Sequence, residues 1–124
     1  MSECLFCNIF EKRILTSNNL AYVIHDGYPV VRLHSLIIPK RHVSTYFDLT
    51  AKERAACHDL IIETKAMIEA EDKMIDGFNI GINNGESAGQ TIFHCHIHLI
   101  PRRSGDMENP RGGVRGVIPD KRLY

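Results

Sequence analysis

Apolar and polar positions alternate in blocks along the chain, and the period changes from block to block. Residues 20–25 are apolar and partly β-branched and end at the turn signal Asp26-Gly27, which predicts a first strand. Residues 33–38 predict a second, stopped by Pro39, that delivers Lys40-Arg41-His42 at its end. A short helix fits residues 8–13 ahead of both. From Thr50 the pattern turns helical. Thr50-Ala51-Lys52-Glu53 is a capping box, the hydroxyl accepting the N3 amide while the glutamate reaches back. Cys57, Leu60, Ile61, Thr64, Met67 and Ile68 then recur every three or four residues, which gives one long helix an apolar face. Residues 78–83 return to a period of two, with Phe78, Ile80 and Ile82 on the side that the helix is expected to cover. Residues 84–90 are polar and glycine-rich and read as a loop, and residues 91–100 read as a further strand ended by Pro101.

The chain has 124 residues, 44% of them hydrophobic, enough for one modest core and no more. With no internal repeat, it divides into a folded unit over residues 1–104 and an irregular basic tail over residues 105–124. From Pro101 onward five arginines and one lysine face only Asp106, Glu108 and Asp120. Over the whole chain 15 basic residues balance 15 acidic ones, so no global field draws the protein to nucleic acid or an anionic membrane. No apolar run approaches spanning length, and Met-Ser-Glu-Cys-Leu-Phe-Cys lacks the basic start of a signal peptide, so a cytoplasmic location is expected. Reducing surroundings then leave the four cysteines free for metal, catalysis or packing. Cys57 in the helical pattern and Cys95 between histidines fit packing best.

His94-Cys95-His96-Ile97-His98 carries the densest chemistry. On a strand the three imidazoles emerge on one face, while Cys95, Ile97 and Leu99 go to the other. Titratable rings side by side pack poorly and repel when charged, so the row points to function. Imidazole is nucleophilic near neutral pH, and one nitrogen can attack phosphorus while an acceptor on the other fixes the tautomer.

The segment Gly89-Gln90-Thr91-Ile92-Phe93-His94-Cys95-His96-Ile97-His98-Leu99-Ile100 resembles the signature of the histidine-triad (HIT) nucleotide-binding and hydrolase family. The resemblance extends to Ile38-Pro39-Lys40-Arg41-His42, to the Asp26 turn and to the N-terminal cysteine pair. It implies an α+β, HIT-like fold: an antiparallel sheet with one long helix and a short N-terminal helix, paired with a twin as a homodimer. It also implies His96 as the nucleophile, nucleotidylated at the α-phosphorus of a purine nucleotide, and His98 as a hydrogen-bond donor to phosphate or the bridging oxygen. By the same resemblance Gly89, Gln90, Thr91 and Asn83 match phosphate-contacting positions, Gln90 and Thr91 also assisting the leaving group, and Asp26 matches the acid that binds ribose hydroxyls. Phe6, Ile9, Leu20, Tyr22 and Ile24 can line a purine slot or belong to the core. Cys95 stands where many relatives carry valine or leucine.

Cys4-x-x-Cys7 lets two thiolates of one turn hold the same ion, and zinc needs four nitrogen or sulfur ligands. The family resemblance supplies His42 and His94 as the other two. Such a site has no open position and is expected to staple the N-terminus to the second strand. His94 then anchors metal, and His96 and His98 face phosphate. Downstream, Arg102, Arg103, Arg111 and Arg115 can hold the outer phosphates of a longer substrate. The expected activity is hydrolysis or transfer on dinucleoside polyphosphates or nucleoside phosphoramidates. A nucleotide-binding regulatory or adaptor protein with little turnover is the reading of another class.

Overall fold

The computed structural model describes residues 3–124, so the first two residues of the N-terminal segment read above lie outside the described residues. Five strands form one antiparallel sheet: β1 (Ile14–Ser17), β2 (Ala21–His25), β3 (Ser35–Pro39), β4 (Ile75–Gly81) and β5 (Ile97–Arg103), in the order β1-β2-β3-β5-β4. One helix, α1 (Ala51–Glu71), crosses a single face of it. The expected α+β architecture is therefore present.

Strand pairing sorts the side chains into two layers. Ala21 and Val23 of β2, Ile37 of β3, and Ile97 and Leu99 of β5 are buried under Cys57, Leu60 and Ile68 of α1. Tyr22, Ile24, Leu36 and Ile38 turn to the opposite face and enclose Phe6. The two layers follow from the strand period of two. On the second face one cross-strand row runs Ile24, Leu36, His98, Gly81. Gly81 leaves open space beside His98, since a Cβ built there meets nothing within 4 Å.

The start of α1 is as its sequence dictates. Thr50 Oγ1 accepts from Glu53 N at 3.1 Å, and Thr50 N donates to Glu53 Oε1 at 2.8 Å. Glu53 also takes Arg41 in a two-pronged contact, Nε to Oε2 at 2.8 Å and Nη2 to Oε1 at 2.7 Å. A cap thus doubles as a clamp on the residue next to His42.

Three expectations need correction, and one strand had not been expected. Residues 8–13 do not form one helix; a 3-10 turn at Leu5–Cys7 ends at Asn8, whose φ −130°, ψ 39° break the run, and only Glu11–Arg13 turns again as a second 3-10 turn. β1 had no reading, since four residues with a bulge against β2 are too short for a periodic signal. The final strand starts at Ile97 rather than residue 91 and runs through Pro101 to Arg103. Residues 91–96 instead bend, and Cys95 N donates to Val43 O at 2.7 Å rather than to a sheet partner. In β4, Phe78 packs on the helix layer as expected, whereas Ile80 is 50% exposed. β4 is one of the two edge strands, next to β5 alone.

Candidate active site

His94, His96 and His98 come from different backbone and have different surroundings. His94 lies in the bend before β5, and its ring is fully buried. Its Nε2 donates to Pro39 O at 2.7 Å, which leaves the lone pair on Nδ1. That nitrogen lies 3.4 Å from Cys4 Sγ, 3.5 Å from Cys7 Sγ and 3.2 Å from His42 Nδ1, and Cys7 Sγ lies 3.3 Å from His42 Nδ1. Four ligands held about 2.0–2.3 Å from a tetrahedral zinc ion stand roughly 3.3–3.8 Å from one another. The quartet Cys4, Cys7, His42 and His94 matches that spacing and donor set, with all four ligand atoms within 4.8 Å of each other. The cysteine pair sits on the 3-10 turn Leu5–Cys7, and His42 is the third residue after β3.

His96 is oriented from behind. Its Nδ1 donates to His94 O at 2.8 Å, so Nε2 carries the free lone pair. The ring stands edge to face with Phe6, centroids 5.0 Å apart, and with His98 at 5.3 Å.

His98 belongs to a chain of donors. Val30 N donates to His34 Nδ1 at 3.1 Å, which places the His34 proton on Nε2. His34 Nε2 lies 2.9 Å from His98 Nδ1 and donates to it, which in turn places the His98 proton on Nε2. Asp26 Oδ2 flanks the pair, 3.4 Å from His34 Nε2 and 3.9 Å from His98 Nδ1. Burial keeps both rings neutral: His34 is shifted below the usual imidazole range, and His98 is pushed down to about 4 by burial and by the neighbouring His96 and His34. Asp26, His34 and His98 also lie close enough to suggest a metal triad. However, the lone pair of His34 that a cation needs is already taken by Val30 N–H. His34 escaped the sequence reading; the signal was a histidine just ahead of β3, two residues before Leu36, which pairs with His98.

The other expected residues divide. Asp26 Oδ1 accepts from Tyr28 N at 2.8 Å, and Oδ2 lies beside the histidines. Gln90 is buried, and its amide serves the loop: Nε2 donates to Ser44 O at 2.7 Å and Ile92 O at 3.1 Å, while Oε1 accepts from Gly85 N at 2.8 Å. Gly89 ends the 3-10 turn Glu86–Ala88 at φ 94°, a conformation that favours glycine. Thr91 is exposed in the bend, and Asn83 is half-buried beyond β4. Cys57 and Cys95 are packed as expected, their thiols pushed up by burial to about 11 and about 12.

The arginines from residue 102 onward are committed within the chain, Arg102 and Arg103 at the end of β5 and Arg111 and Arg115 in the tail. Arg102 grips Asp106 through two bonds of 2.7 Å and reaches Asn79 Oδ1 at 2.8 Å. Arg103 Nε reaches Asp72 Oδ2 at 2.9 Å, and Arg111 and Arg115 both stack on the Tyr124 ring. A cavity of about 500 Å³ lies between β4 and the tail, lined by Val30, Asn83, Ile100, Val114 and Val117 among others. Its wall includes Gly81, the cross-strand partner of His98, and Ile100, two residues further along β5.

An antiparallel sheet covered by one helix, with a histidine row on its open face, is the architecture of histidine-triad proteins. The HIT domain profile matches residues 9–105, and the chain belongs to that family, a nucleotide-binding and hydrolase superfamily. It is 37% identical over 110 residues to adenylylsulfatase HINT3 of Arabidopsis thaliana, a match covering 85% of this chain and 55% of that protein, so the chain spans little more than half that relative's length. A HIT-like protein of Methanocaldococcus jannaschii is 32% identical across 97% of this chain and 95% of its own. Among solved structures, a Zn-bound histidine triad family protein from Mycobacterium smegmatis superposes with a TM-score of 0.75 at 33% identity, covering 87% of this chain and 81% of that one. Among the described residues no helix is long and apolar enough to cross a membrane.

Proposed function

We propose that the protein is a nucleotide hydrolase or transferase that attacks the α-phosphorus of a purine nucleotide derivative through a covalent nucleotidyl-His96 intermediate. The observation that carries this is the fixed tautomer of His96: Nδ1–H bound to His94 O leaves Nε2 as a directed lone pair. Attack forms the Nε2–P bond as the bond to the leaving group breaks; a nucleotide or sulfate departs as the anion with that electron pair, whereas an amine departs neutral, taking a proton from solvent as the P–N bond breaks. Water then attacks phosphorus, loses a proton, and returns neutral His96. His98 Nε2–H, held in place by His34, hydrogen-bonds the oxygen on which charge grows. Asp26 Oδ2 takes ribose hydroxyls; Asn83, Gly89, Gln90 and Thr91 frame the phosphate, Gln90 and Gly89 by fixing the loop.

Dinucleoside polyphosphates and nucleoside phosphoramidates are the substrate classes, and the relative named adenylylsulfatase adds adenylyl sulfate. The cavity lined by Gly81, Asn83 and Ile100 offers room for what leaves. Zinc held by Cys4, Cys7, His42 and His94 is a structural cofactor in this reading, supported by their spacing and by the Zn-bound neighbour. A homodimer is supported by the outermost position of β4 and by exposed Ile80 on it and Ile62 on α1. Four free thiols suit the cytoplasm.

The test is mass spectrometry of protein mixed with diadenosine tetraphosphate, adenosine phosphoramidate or adenylyl sulfate. An adenylyl adduct on the wild type, absent from His96→Ala, is expected. Equal turnover by that variant removes His96 as nucleophile, and binding without turnover of any substrate favours a regulatory protein.

A further inference from the structure

The metal corner and the nucleophile share two residues. His94 lends its ring Nδ1 to the quartet and its carbonyl to His96 Nδ1, 2.8 Å away. Phe6 lies between Cys4 and Cys7 on the same 3-10 turn, only 5% exposed, and its ring meets His94 at 6.1 Å and His96 at 5.0 Å, edge to face in both cases. Tyr22 OH donates to Phe6 O and ties that turn to β2. Of the three groups that set the His96 ring, namely His94 O, the Phe6 ring and the His98 ring, two are carried by the metal corner. A metal that fixes Cys4, Cys7 and His94 therefore also fixes what stands behind and beside His96.

We propose that Phe6 is a positioning residue for His96, and that occupancy of the Cys4-Cys7-His42-His94 quartet controls the orientation of the nucleophile as well as the stability of the fold. The physical route is short. Without the ion, two thiol groups and two imidazoles lose their common centre, the turn Leu5–Cys7 and the bend at His94 are free to part, and the contacts on His96 loosen together. Misplacement of a reacting group by about 1 Å is enough to slow a reaction on the order of a hundredfold. This inference rests on the reading of His96 as nucleophile, but its main readout does not.

The experiment uses the full chain, as zinc-loaded wild type, as wild type stripped by a chelator, and as the zinc-loaded variants Phe6→Leu and Phe6→Tyr, with spectra recorded before substrate is added. Ring-nitrogen NMR reports the His96 tautomer in each, zinc content is measured alongside, and single-turnover adenylylation is timed. The loaded wild type is expected to show one tautomer, protonated at Nδ1. Chelation and Phe6→Leu are each expected to mix the tautomers, and Phe6→Leu to slow adenylylation roughly tenfold to a hundredfold with zinc content unchanged. Phe6→Tyr restores both. An identical His96 signature in all four samples overturns the proposal, as does a Phe6→Leu effect confined to KM, which marks Phe6 as a mere wall of the base slot. Should His96→Ala retain turnover, the nucleophile reading fails, while the tautomer measurement still decides the coupling.

Discussion

Two histidine clusters flank His96, and they are built on opposite principles. In one, His94 donates through Nε2 to Pro39 O and aims a lone pair at Cys4, Cys7 and His42. In the other, Val30 N–H takes the lone pair of His34, so that ring can only donate, and His98 receives what it donates. The same residue type becomes a metal ligand or a proton donor according to which nitrogen the backbone engages. Proximity alone does not separate the two, since both sets of ligand atoms are equally close. The backbone partner does.

The sharpest way to test this contrast is to remove the histidine between the clusters and then one of the donor cluster, and to follow zinc in both. His96→Ala is expected to lower adenylyl transfer by at least about a thousandfold, and His98→Ala by roughly a hundredfold to a thousandfold through loss of one preorganised donor. Both variants should keep full zinc content. Loss of zinc from His98→Ala would mean that the second cluster holds metal after all. Next in size, Cys4→Ser with Cys7→Ser should abolish zinc binding and lower stability by several kcal/mol, on the scale of a structural zinc site reduced by the existing core. Asp26→Asn and His34→Ala should leave the metal content untouched, measured by elemental analysis on the same preparations.

Much of this was legible in the chain. The capping box at Thr50 and Glu53, the helical face through Cys57, Leu60, Thr64 and Ile68, and the turn at Asp26 are local signals, and local geometry honours them. The family resemblance named the quartet whose atoms converge. What escaped depends on distant partners. His34 acquires its role only because β3 lies beside β5, which sets Leu36 opposite His98. Glu53 reads as a cap, yet Arg41 also makes it a buried anchor. The regular strand expected through residues 91–96 gives way because His94 is drawn to Pro39 O and Cys95 to Val43, contacts with no signature in the hydrophobic pattern. The arginines from residue 102 onward looked free for phosphate because Asp106, though only four residues past Arg102, stood in a stretch read as irregular, and because Asp72 and Tyr124 are distant in sequence from Arg103 and Arg111.

The contrast also has a pH signature. His98 titrates near 4 in the fold against an ordinary value near 6.5, mainly because burial disfavours its charged form. Between those values the unfolded chain binds a proton at this position and the folded chain does not, so its contribution is intact above pH 6.5 and is lost as pH falls toward 4. The wild type should therefore lose stability across that window faster than His98→Asn, which binds no proton in either state. Parallel slopes in denaturant titrations would show that His98 is not held neutral.

The smallest effect concerns the support behind His42. Arg41 holds the Glu53 carboxyl down at about 2, against an ordinary 4.5, with the Thr50 amide adding to it. Here the folded value lies below the unfolded one, so the stabilisation is present above pH 4.5 and disappears as pH falls through 2. Glu53→Gln should cost about 1–2 kcal/mol at pH 7, as a charge-assisted bond becomes a neutral one. That cost should shrink toward zero in acid, where the wild-type carboxyl is itself protonated. Zinc content should be unchanged, because Arg41 places the backbone ahead of His42 without touching the metal ligands. A fall in zinc content at neutral pH would instead make the helix cap part of the metal site, and the two sides of the molecule would be less separate than their hydrogen bonds imply.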